Sequence, residues 1–135
     1  MSIFQDQRAF MIASGQTVDS PDNHPQAALY RNLIIEEYHE FIEAYPGNVP
    51  WKIETAANVT DALIDLIYVC SGMLHSMGVN PEQAWAEVQR SNMSKVDPET
   101  GKVIKRDDGK VLKPASYSPP DLETVVTNSW RGWYE

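Results

Sequence analysis

Three glutamates, Glu36, Glu37 and Glu40, fall close together in the segment LIIEEYHEFIEAY. On a helix, positions three and four apart share a face, so these carboxylates project from adjoining positions and repel one another. Further along, Glu54, Asn58, Asp61 and Asp65 follow i, i+4, i+7, i+11 and draw an oxygen-bearing stripe through an otherwise apolar stretch. Asp65 stands within IDLIYV, where a solvated face is hard to find.

Carboxylates gathered in this way call for a cation. The chain has one cysteine, Cys70, inside an apolar run, and three histidines, His24, His39 and His75, which read as surface or packing residues. With neither a Cys set nor a His set on offer, the oxygen-only donors suit Mg²⁺ or Mn²⁺. Mg²⁺ takes a few carboxylates and completes its shell with waters and substrate phosphates, so an acidic cage becomes a phosphate site once metal arrives. Taken singly, the glutamates also suit a solvated helix face, and Asp61 and Asp65 suit an acid pair met by Lys or Arg across a dimer interface. Their joint occurrence on successive helices favours the metal.

The elements that must position these acids are helices. Apolar spacing predicts a short helix over about residues 2–14, stopped by Gly15, and Pro25 opens a second that runs to about residue 45, before Pro46-Gly47. A third, the most apolar, covers about residues 51–77 with Gly78 as its stop. Asn80-Pro81-Glu82-Gln83 supplies a cap, a first-turn proline and a Gln at the capping-box position for a fourth, over about residues 81–92. If helices two and three pack antiparallel across the short PGNVP connection, the two acidic stripes meet at one depth. Gly72 allows close approach of helices. Tyr68, Met73, Met77 and Trp85, at helical spacing, read as core.

Beyond residue 92 the composition changes. DPETGKVIKRDDGKVLKPASYSPPDL carries two Gly-bearing turn signals between short β-prone runs and reads as a small hairpin or ordered arm; DLETVVTNSWRGWYE adds a short helix whose Trp130, Trp133 and Tyr134 need somewhere to pack. Six of the eleven basic residues lie between positions 95 and 113, while the helices hold most of the acid. At 135 residues and 42% hydrophobic content the chain suits one domain, a helical core over about residues 1–92 with a basic arm over about residues 93–135. A net charge of -8 argues against a nucleic-acid or membrane-surface binder, which needs a basic field. With no leader pattern after Met1 and a lone cysteine, a reduced, cytoplasmic setting is expected.

The two acidic segments resemble the signature of the MazG-like all-α nucleotide pyrophosphohydrolases. LIIEEYHEFIEAY is similar to its EExxE half and NVTDALIDLIYVCSGM to the helix carrying its ExxD half, the likeness covering roughly residues 28–95. The second half departs from the pattern: with Asp61 as the motif aspartate, Asn58 replaces the glutamate, and with Asp65 in that role the glutamate's place holds Ala62; the first register is preferred, because both aspartates then lie on one stripe. Asp65, one turn on along the same stripe, then reads as an additional ligand. RSNMSK, GKVLKP and SYSPPDL further resemble the small phage and bacterial members.

This resemblance implies a four-to-five-helix MazG-like bundle with a C-terminal hairpin or arm, completed by dimerisation as a homodimer or homotetramer. It implies hydrolysis of a nucleoside triphosphate to monophosphate and pyrophosphate by in-line attack of water on the α-phosphorus, in the cytoplasm (of the host, if phage-encoded). Glu36, Glu37 and Glu40 are the expected catalytic residues and, with Asp61 and Asp65, the ligands of two or more Mg²⁺ or Mn²⁺ ions. Asn92, Lys95, Lys110 and Lys113 are the expected substrate contacts. Likeness to the small phage members, among them the MazZ-like dGTP diphosphohydrolases, points to dGTP or GTP, with dUTP and phosphoribosyl-ATP as rival substrates on the same acid scaffold. A rival of another class is a non-catalytic helical dimeric binding module whose acids are mere surface.

Overall fold

A computed structural model describes residues 2–133. It contains α1 (Ile3–Ala13), α2 (His24–Ala44), α3 (Ile53–Ser76), α4 (Pro81–Met93) and α5 (Leu122–Ser129), and no strand among the described residues. The all-helical expectation holds. The starts are fixed by local chemistry: Asn23 Oδ1 accepts the Gln26 N–H at 3.1 Å, with Pro25 in the first turn of α2, and Asn80 Oδ1 accepts the Gln83 N–H at 3.1 Å ahead of α4. Such caps are each worth about 1 kcal/mol. At α3 the reach is reversed, since Thr55 Oγ1 accepts the Lys52 backbone N–H at 2.9 Å.

Helix α3 is the centre of the molecule, with α2 antiparallel to it and α1 laid on it. Met11 of α1, Tyr30 of α2 and Val69 of α3 form the buried core, joined by Val18, Leu33, Ile34, Leu66 and Met73. Tyr30 lies on Gly72, where an added Cβ would stand 2.0 Å from Tyr30 Cε1. The close approach expected of Gly72 is therefore real. The Tyr30 hydroxyl donates to Gln16 Oε1 at 2.6 Å and accepts from Gln7 Nε2 at 3.4 Å. On the α1 side, His75 Nε2 meets the Phe4 carbonyl at 2.9 Å and Phe10 meets the Tyr68 ring edge-on. His75 is thus a packing residue.

By length and composition α3 could cross a membrane. It nevertheless carries Asp61 and Asp65 in its middle, and α1 and α2 cover only part of it. Leu63, Ile64 and Ile67 of α3 and Ile35, Tyr38 and Ile42 of α2 remain exposed. Two residues expected in the core are corrected by this arrangement: Trp85 is 64% exposed and Tyr68 37%. The five helices leave these parts of the apolar faces of α2 and α3 uncovered.

After α4 the chain doubles back as the expected arm. Its hairpin is reduced to one antiparallel bridge between Lys105 and Val111, closed over Asp107-Asp108-Gly109, with the Arg106 N–H on the Lys110 carbonyl at 2.8 Å. The arm returns to α4 at Ser94, whose Oγ accepts the Ser118 N–H at 2.9 Å and whose carbonyl accepts from Ser116 Oγ at 2.9 Å. Glu87 fastens the next segment. It accepts both Arg90 Nε at 2.7 Å and the Asp121 N–H at 2.5 Å, and these bonds hold its carboxyl down at about 2. Trp130 packs by donating its Nε1–H to the Met77 carbonyl at 2.8 Å, whereas Trp133 is 47% exposed, and Tyr134 lies outside the described residues.

Candidate active site

The register set by Tyr30 and Gly72 carries the acidic stripes toward each other. Seven residues beyond Tyr30 is Glu37, and seven before Gly72 is Asp65, so two turns of each helix bring these two opposite. One carboxylate oxygen each from Glu37, Glu40 and Asp65 lies within 4.8 Å of the others. Two oxygens on one Mg²⁺, each at about 2.1 Å, stand no more than about 4.2 Å apart. Small rotamer changes close that difference.

The electrostatics say what such a cluster lacks. Glu37 is pushed up to about 7, first by burial, then by its hydrogen bond with Glu40 and by the charges of Glu40, Asp65 and Glu36. Asp65 is raised as well, by burial and then by Asp61 and Glu40. Every group that acts on the pair is an acid. In addition, Glu37 Oε2 is buried without a hydrogen-bond partner, an arrangement that costs about 1–3 kcal/mol or more for a charged group. Oxygen donors, mutual repulsion and an orphaned buried oxygen are together what a divalent cation relieves, so these residues fit a metal.

The other expected residues take distinct places. Glu36 and Asp61 are exposed and flank the cluster, Glu36 acting on Glu37 and Asp61 on Asp65 through their charge. Asp65, read from the sequence as an additional ligand, is the aspartate that meets Glu37 and Glu40. Glu54 and Asn58 are exposed toward the start of α3, outside the cluster.

At the other end of the chain, Asn92 Oδ1 accepts from Lys95 Nζ at 3.1 Å. Lys95 Nζ also stands 5.8 Å from the Tyr117 ring centroid, and Lys113 Nζ stands 4.8 Å from the same centroid. Lys110 sits apart in the hairpin, exposed, its backbone engaged with Arg106 and Asp108. Tyr117 is a residue that the sequence reading missed. The available signal was a ring set between two serines, four residues after Lys113, in the stretch KPASYSPP. Within one chain, none of these lysines is among the groups that act on Glu37 or Asp65.

The search among curated proteins gives no match to the chain. A family model does match: phosphoribosyl-ATP pyrophosphohydrolase, over residues 12–92, a span that holds all five candidate acids and stops short of the basic arm. An all-helical fold, an acidic cluster between α2 and α3, and that match over more than half of the sequence agree, and the chain belongs to the phosphoribosyl-ATP pyrophosphohydrolase family of nucleotide pyrophosphohydrolase enzymes, within the MazG-like all-α superfamily.

Proposed function

We propose that this chain hydrolyses a nucleoside triphosphate to the monophosphate and pyrophosphate in a divalent-metal-dependent reaction at the cluster of Glu37, Glu40 and Asp65. The observation that carries the reading is the convergence of these three carboxylates around the unpartnered Glu37 Oε2. Bound there, Mg²⁺ or Mn²⁺ would neutralise phosphate charge and make water a better nucleophile. Glu37, Glu40 and Asp65 are the residues that would hold it, with Asp61 beside them where a second ion joins the substrate.

Each remaining residue has a separate task. Glu36, exposed next to Glu37 and outside the converging set, is our candidate to take the proton of the attacking water. Half-burial of Glu37 and Asp65 lowers the local dielectric, which strengthens their hold on a cation relative to surface carboxylates. The triphosphate keeps negative charge on its β and γ groups that the carboxylates of the cluster do not offset. Lys95, Lys113 and Lys110, with Asn92, are the candidate partners for it, and a second copy of the chain seated on the exposed Ile64 and Ile67 face would cover the remaining apolar surface, as homodimer or homotetramer.

The arm's resemblance to small phage members points to guanine, as dGTP or GTP. The family match favours a second reading, phosphoribosyl-ATP, which presents the same α,β-phosphoanhydride on a larger base. Pyrophosphate release measured over the eight common NTPs and dNTPs and phosphoribosyl-ATP, with Mg²⁺ or Mn²⁺, separates them. Turnover of dGTP above the rest supports the first reading and turnover of phosphoribosyl-ATP alone the second.

A further inference from the structure

We infer that Tyr117 is a positioning residue that gathers Lys95 and Lys113 into one polyphosphate-binding unit. The inference rests on the proposed triphosphate reading for its biological ligand, but the arrangement itself lies in the arm, beyond the residues that match the family. It begins with Ser94. This residue ends α4, and both Ser116 and Ser118 are hydrogen-bonded to it, at 2.9 Å each, so Tyr117 between them is fixed beside Lys95, the neighbour of Ser94. A turn closed by the Tyr117 N–H on the Pro114 carbonyl at 3.0 Å brings Lys113 to the same ring.

Two ammonium groups that converge on one ring repel each other, and neither forms an ion pair among the described residues. What holds each of them is the negative π-surface of the ring, both lying within the roughly 6 Å at which a cation is attracted to an aromatic centroid, with Asn92 Oδ1 adding a hydrogen bond to Lys95. A lysine stem left alone samples many rotamers, so ring contact restricts both heads to one neighbourhood before any ligand binds. An anion with several phosphoryl oxygens can bridge both heads and offset their repulsion. The unit is thus the cationic counterpart of the acidic cluster on α2 and α3, each assembled from like charges that an opposite partner completes.

The test uses inorganic tripolyphosphate as the probe, titrated calorimetrically in saturating Mg²⁺ into the full chain and its Tyr117→Phe and Tyr117→Leu variants. Mg²⁺ affinity and kinetics on the preferred triphosphate are measured alongside. Tyr117→Phe keeps the ring and should bind like the unsubstituted chain, whereas Tyr117→Leu should bind tripolyphosphate about fivefold or more weakly, raise KM with little change in kcat and leave Mg²⁺ affinity intact. Equal binding by the Leu variant, or equal loss in both variants, would overturn the inference. Should the Leu variant not fold, Lys95→Gln and Lys113→Gln decide: each must weaken tripolyphosphate about fivefold, and undiminished binding in either overturns the inference. Absence of turnover with every nucleotide and metal defeats the proposed activity only, since tripolyphosphate binding still judges the role of Tyr117.

Discussion

Gly72 lies directly under the ring of Tyr30, so closely that a Cβ there would stand 2.0 Å from Tyr30 Cε1. The ring cannot swing aside cheaply, because Gln16 and Gln7 hold its hydroxyl in the core. This contact fixes how far α2 slides along α3, and through it whether Glu37 meets Asp65. Gly72→Ala should therefore destabilise the fold by about 1–3 kcal/mol, the usual cost of overpacking. Urea denaturation reads that loss. Because the helices must part or slip to admit the methyl group, Mg²⁺ affinity should fall with it, though no carboxylate has been touched.

The acidic cluster makes the metal-free protein sensitive to pH in a definite direction. Glu37 is pushed from an ordinary 4.5 up to about 7, so the folded state holds its proton more tightly than the unfolded chain. Stability from this group is complete below about pH 4.5 and is lost as pH rises through about 7, and the raised Asp65 acts with the same sign. In EDTA, the melting temperature of the unsubstituted chain relative to Glu37→Gln should drop between pH 5 and pH 8. Mg²⁺ reverses the trend by binding the ionised form, and its affinity should climb over the same interval. Parallel melting curves for the two proteins at all pH values would contradict the assignment of the shift to Glu37.

Removing a converging carboxylate and removing a flanking one should differ. Asp65→Asn and Glu40→Gln are expected to cut Mg²⁺ affinity and turnover about tenfold or more, the range seen when a metal's ligands or their immediate supports are changed. Asp61→Asn should also lower turnover by about tenfold, with a smaller effect on the first ion to bind. Glu36→Gln should lower kcat while leaving Mg²⁺ affinity nearly unchanged. Metal titrations followed by calorimetry, beside steady-state kinetics, separate these outcomes.

Much of this organisation was legible in the residues. Helix boundaries follow from Asn23, Pro25, Asn80 and Pro81, whose side chains act locally and so leave a local signature. Spacing of Glu37, Glu40 and Asp65 gave the acidic faces, since helical periodicity fixes direction. It did not give the slide between α2 and α3, which is settled by one long-range contact, Tyr30 on Gly72, and this is why Asp65 rather than Asp61 meets the glutamates. Trp85 and Tyr68 read as core because periodicity identifies an apolar face without saying whether one chain has enough helices to cover it. Tyr117 left no periodic trace at all. Its role comes from Ser94 bonding to Ser116 and Ser118 across a long loop.

The central claim is that the carboxylates of Glu37, Glu40 and Asp65 act through a divalent cation on the α,β-phosphoanhydride of a nucleoside triphosphate. The most direct test follows the phosphorus products by ³¹P NMR, with the preferred triphosphate in Mg²⁺ and in EDTA. The account predicts a nucleoside monophosphate and pyrophosphate in equal amounts with Mg²⁺, and no turnover in EDTA. Orthophosphate accompanied by a nucleoside diphosphate, or undiminished turnover in EDTA, would contradict it.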